Sequence, residues 1–201
     1  SRMIDALLPL MSFAFVSSIT PGPNNIMLTS SGIWFGFRRS LPHMLGITFG
    51  FGVLLAICAF GIGELVVALP QVVLLLKALG CAYLLYLAWQ LRRMAVSGAD
   101  ERAVRPMSFW AAAMFQFANP KAWVMAITGA SAFMPLLHKQ SGWLAILIYC
   151  AVFCAINLPC VSVWAGAGAL LRRYLEQPRW RAIFAAVMIL LTLYSALAIW
   201  L

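Results

Sequence analysis

From Ala6 to Phe37 the chain carries no charged side chain, yet the middle of this run reads "SSITPGPNN". A run of about 20 apolar residues is what a hydrocarbon core about 30 Å thick requires. Backbone in that core must satisfy its own hydrogen bonds, so the run is expected to be a helix. Proline removes a backbone donor and clashes with the preceding turn, and glycine relaxes the chain further. Thr20-Pro21-Gly22-Pro23 therefore breaks a span near its centre, and helix resumes with "NNIMLTSSGIWFG". Thr20 or Gly22 can cap the new helix, with proline at its first position.

Five more stretches fit the same rule, giving expected spans at about 6–35, 43–67, 72–91, 108–134, 142–170 and 181–200. Composition agrees: 64% hydrophobic and 9% charged, against about a quarter charged in soluble domains. The expected fold is an all-α integral membrane protein. Ser1 and Arg2 precede Met3 and are set aside, and no removable leader is expected.

Positive charge alternates between loops. Arg38 and Arg39 follow the first span, Arg92, Arg93, Arg102 and Arg105 the third, and Arg172, Arg173, Arg179 and Arg181 the fifth; the other two loops carry only Lys139. Positive residues stay cytoplasmic, so both termini are expected outside. The net charge of +9 thus reflects topology, and no nucleic-acid partner is expected. Residues 92–107 form a solvated cytoplasmic linker between halves 3–91 and 108–201. Three spans per half make the second half enter from the opposite side, so similar halves would be inverted repeats.

The second half has its own break. In "FQFANPKAWVMAI", Asn119 is a plausible N-cap, Pro120 a first-turn residue and Lys121 a charge deep in the fourth span. Matched, proline-interrupted spans point to a transporter's binding site. Each break starts a helix inside the membrane, where free N–H groups and the dipole attract an anion. Proline kinks that serve packing alone are the alternative.

At these residues the sequence resembles the LysE/RhtB family of amino-acid exporters. The likeness lies in "TPGPNN" with "GFR" after it, "KALGCAYLLYLAWQL" in the third span and "FQFANPK" in the fourth. "TPGPNNI" and "SFWAAAMFQFAN" look most like the branch that exports cysteine and O-acetylserine. The resemblance implies a bacterial inner-membrane exporter driven by protons. It places weight on Thr20, Pro21, Gly22, Pro23 and Asn24, and on Asn119, Pro120 and Lys121. Many relatives carry an acid in the fifth span where this chain has Asn157.

The expected substrate is a small neutral amino acid or derivative. Its carboxylate would meet the two helix starts and Lys121. Its ammonium would meet exposed carbonyls, the amide oxygen of Asn24 or Asn119, or the face of Trp123. Asn25 completes the first motif, and Glu64 is the proton-coupling candidate, the alternative being an interfacial anchor. An exporter of basic amino acids, or a passive channel, is the alternative function. No enzyme is expected, because no carboxylate pair exists and His43 and His138 fall on opposite sides of the membrane. No cofactor or metal is expected, and the five cysteines read as small hydrophobes. Gly46-x-x-x-Gly50 and Gly32-x-x-x-Gly36 allow close helix approach, either within the bundle or in a homodimer.

Overall fold

A computed structural model describes residues 2–61, 68–97, 106–137, 142–198 and 200. Among them every regular element is helical: α1 (Arg2–Ile19), α2 (Pro23–Arg39), α3 (Leu41–Ala59), α4 (Pro70–Ser97), α5 (Phe109–Phe115), α6 (Pro120–Leu137), α7 (Gly142–Leu171) and α8 (Pro178–Ala198). Short 3-10 turns follow α5 at Gln116–Ala118 and α7 at Tyr174–Glu176.

Four helices, α3, α4, α7 and α8, are long and apolar enough to cross a membrane. The pair α1 and α2 passes the same test together and bends by 54° at residues 20–22, which makes a fifth candidate span. The fourth predicted span is divided: Phe109–Ala118 is apolar but short, and helix restarts at Pro120. The predicted linker begins as helix instead, since α4 runs on to Ser97 before the first glycine.

Helix α2 lies along α7 and α4 along α8, while α3 packs on α5, α6 and α7, and α1 on α6 and α7. The closest approaches are made by residues without side chains. A Cβ on Gly32 would run into the carbonyl of Ala165, and one on Gly168 into that of Thr29; Gly46 and Gly50 stand in the same relation to the carbonyls of Phe109 and Ala113. Gly46 and Gly50 thus pack inside the bundle. Gly36 does not belong to this pattern: it has φ +80°, bends α2, and faces open space. Leu8, Leu74, Leu147 and Leu190 are more than half exposed, as side chains facing hydrocarbon are. Trp143, Tyr174 and Trp180 are also exposed, with the Arg173 and Arg179 guanidinium groups over the last two rings, as interfacial anchors are.

Candidate functional site at the two helix breaks

A helix ends with its last four carbonyls unsatisfied. At the end of α1 the prolines make this worse, because Pro21 and Pro23 lack the N–H groups that would have reached Ser17 O and Ile19 O. Side chains answer for every one. The Thr20 hydroxyl donates to Ser17 O at 3.2 Å, Asn25 Nδ2 to Ser18 O at 2.9 Å, and Trp164 Nε1 of α7 to Ile19 O at 2.9 Å. Thr20 O receives both Asn25 Nδ2 at 2.8 Å and Lys121 Nζ at 2.9 Å. Lys121 Nζ also donates to Thr20 Oγ1 at 3.1 Å and Pro21 O at 3.3 Å.

Lys121 thus crosses from the break of one half to the break of the other. The Thr20 hydroxyl has spent its proton on Ser17 O and can only accept from the lysine. Three acceptors around Nζ call for three N–H donors, which an ammonium has and a neutral amine does not. The partial negative charge at the C-terminus of α1 supports that cation. Gly22 makes room for it, since a Cβ there would lie 2.6 Å from Lys121 Cδ.

The two helix starts differ. Gly22 is the N-cap of α2 and no side chain caps it. Helix α6 is capped as expected: Asn119 Oδ1 accepts from Lys121 N at 3.1 Å. The start left without a side-chain cap is therefore that of α2.

One amide pair holds the breaks together, and a third amide ties the first break to its neighbours. Asn24 and Gln116 exchange hydrogen bonds, Nδ2 to Oε1 at 2.7 Å and Nε2 to Oδ1 at 2.9 Å. Asn157 on α7 accepts from Thr48 Oγ1 at 2.9 Å and donates to Ser18 Oγ at 3.1 Å, joining α1, α3 and α7. Gln116→Leu strands the half-buried Asn24 amide, and a stranded polar group costs about 1–3 kcal/mol. Thermal unfolding in detergent should register that loss. Adding Asn24→Leu should recover part of it, a coupling of about 0.5–3 kcal/mol.

Gly22, Asn24, Asn25, Asn119, Lys121 and Asn157 line one cavity. Ser17, Ser18, Phe51, Ala122, Met125 and Val161 complete its wall, so the lining mixes polar and apolar groups. The cavity is about 20 Å³, room for a water-sized group and far less than an amino acid fills. Asn25 Oδ1 is buried there with no hydrogen-bond partner among the described residues. Thr20, Pro21, Pro23 and Pro120 shape the breaks without lining the cavity. Trp123 turns away from it, its Nε1 donating to Phe117 O at 2.7 Å and its ring set against Phe117. The amide oxygens of Asn24 and Asn119, expected to receive an ammonium, already have donors. Glu64 and His138 lie outside the described residues. The cysteines are free, and the described residues form no cluster that could hold a metal.

Gln116, Trp164 and Ser18 were not singled out from the sequence. Gln116 had a signal, an amide three residues before Asn119 in an apolar run. Trp164 had none, since a tryptophan in a span reads as packing or belt.

The chain matches a family model described as LysE type translocator over residues 15–198. It is 34% identical to the cysteine/O-acetylserine efflux protein of Klebsiella pneumoniae over 81% of this chain and 82% of that protein. The protein of the same name from Salmonella paratyphi A is also 34% identical, over 81% and 82%. That of Escherichia coli O139:H28 is 32% identical over 94% of each chain. No solved structure matches.

Proposed function

The chain belongs to the LysE family of translocators, and from that premise we propose that it exports small neutral amino acids such as cysteine or O-acetylserine from the bacterial cytoplasm in exchange for protons. Membership makes it a membrane transporter and not an enzyme. The observation that carries the substrate reading is the cavity where the two breaks meet, lined by serines, asparagines and Lys121 together with Phe51, Met125 and Val161.

In this reading the carboxylate meets the uncapped start of α2 and the ammonium meets oxygens at the end of α1. Asn25, Asn119 and Asn157 set the orientation, while Thr20, Pro21, Gly22, Pro23 and Pro120 keep the backbone open. Phe51, Met125 and Val161 take a short side chain. A second cation has no carboxylate to meet among the described lining residues, which favours neutral over dibasic substrates. The described state has too little room for substrate, so transport requires the halves to part on one side and then on the other, with the breaks as hinges.

Six spans in two inverted halves, with both termini periplasmic, complete the proposal. The packing supports a correspondence between the halves. The contact of α2 with α7 has its counterpart in α6 with α3, that of α1 with α7 in α5 with α3, and that of α2 with α8 in α6 with α4. Exchanging the halves maps each of these pairs onto another.

Flux in reconstituted vesicles tests the function. Cysteine, O-acetylserine and threonine should be moved uphill when a pH difference is imposed, and lysine at least about tenfold more slowly. Movement of lysine at the same rate would overturn the substrate class, and movement only down its own gradient would make the protein a channel.

A further inference from the structure

We propose that Lys121 is the proton-exchanging group of this transporter: its ammonium and the substrate's ammonium compete for one seat, formed by Thr20 O, Thr20 Oγ1 and Pro21 O. The inference rests on the export reading above and adds to it a way to couple protons.

The seat is built for an ammonium. Its three oxygens surround Nζ, and the hydroxyl among them is turned into a pure acceptor by its bond to Ser17 O. A substrate ammonium presents the same three donors. Lysine occupies the seat on a flexible four-carbon stem, so it can leave and return.

Among the described residues no other titratable group lines the cavity. Around the cavity α1 and α2 present serines and asparagines, α3 presents Phe51, and α7 presents Asn157 and Val161. Elsewhere on the elements packed against α6, Tyr149 of α7 donates its hydroxyl to Ala126 O, Lys77 of α4 lies over the Trp200 ring, and neither His43 of α3 nor Asp5 of α1 lines the cavity. The seat holds one positive charge and no carboxylate among the described residues, so two ammonium groups cannot share it.

The exchange balances without any other reactant. On the cytoplasmic side the N–H bond breaks, Lys121 gives one proton to water, and the substrate's ammonium takes the three oxygens. On the outer side a proton adds to the neutral amine, the N–H bond forms again, and the returning ammonium displaces the substrate. One proton enters for each substrate that leaves.

Binding measured against pH tests this. For the purified protein and L-threonine, whose side chain does not ionise, the affinity should fall about tenfold for each pH unit of acidification in the range where Lys121 must lose its proton. Binding should release about one proton into a weakly buffered solution. Lys121→Gln should bind with an affinity independent of pH and release no proton. Lys121→Arg, which keeps the charge and cannot give up its proton, should bind at least about tenfold more weakly at every pH. Glu64→Gln should still release the proton. A pH slope that survives in Lys121→Gln, or one that vanishes in Glu64→Gln, overturns the proposal. So does wild-type binding that releases no proton, an outcome that leaves export itself standing. If the wild-type protein moves none of the amino acids in the flux panel, the export reading fails first and takes this one with it. Should Lys121→Gln not accumulate, proton release by the wild-type protein and by Glu64→Gln decides.

Discussion

Gly168→Leu is expected to remove most of the folded protein from the membrane, while Gly166→Leu, two residues away on another face of the same helix, leaves its amount near wild type. At Gly168 the first added carbon would meet the Thr29 carbonyl, a backbone atom of α2 that no rotamer change can move. At Gly166 the nearest atom is Phe37 Cδ2 at 3.8 Å, an ordinary contact. Overpacking a well-fitted core typically costs about 1–3 kcal/mol. This case lies at the upper end, because Gly32 makes the reciprocal approach to Ala165 in the same interface and both helices would have to separate. About 3 kcal/mol lowers the unfolding midpoint of a chain this long by roughly 6–12 °C. Membrane fractions and thermal unfolding in detergent measure the two effects. Equal behaviour of the two leucine variants would mean that α2 and α7 do not meet through these glycines.

That interface also bears on what can be read from a sequence of this kind. Gly32 and its i+4 neighbour Gly36 form the same pattern as Gly46 and Gly50, yet Gly36 serves the backbone and the other three serve packing. Spacing cannot separate these uses, because a positive φ and a close helix both select the residue without a Cβ.

The breaks at Pro21–Pro23 and Asn119–Pro120 were legible because proline acts on its own backbone. That Asn119 caps α6 follows from the same local rules, whereas the meeting of the breaks is a contact between residues 101 apart in the chain. The sequence predicts Lys121 deep in its span, facing a substrate carboxylate; in the described state its ammonium lies on Thr20 O and Pro21 O. Those acceptors are main-chain atoms, and every residue has them. Which carbonyls are left free depends on where the missing proline donors fall and on which side chains arrive from elsewhere in the chain. Trp164 comes from a segment 145 residues away. The division of the fourth span has a similar origin. Its first part, from Phe109 to Ala118, packs against α3 through Gly46 and Gly50, and only the partner helix decides where that packing ends.

The largest functional effect is expected from Pro21→Ala combined with Pro23→Ala, with stability unchanged or raised. The two alanines restore the N–H groups that a continuous helix would direct at Ser17 O and Ile19 O, and they remove the ring clashes at the break. Both carbonyls now depend on Thr20 and Trp164 side chains. Backbone donors would take over those bonds, free the Thr20 hydroxyl to turn, and release Trp164 from α1. Proline inside a helix is worth about 3 kcal/mol against alanine, with a smaller penalty at a first-turn position such as Pro23. The variant should therefore melt no lower than wild type. Transport should fall by at least about tenfold, because the seat around Lys121 Nζ needs Thr20 Oγ1 as an acceptor and Pro21 O turned inward. The pair of measurements separates this from ordinary damage, in which activity and melting temperature fall together. Full transport in the double variant would mean that the open backbone at Pro21–Pro23 is packing geometry alone, and the cavity between the breaks would lose its claim to be the substrate site.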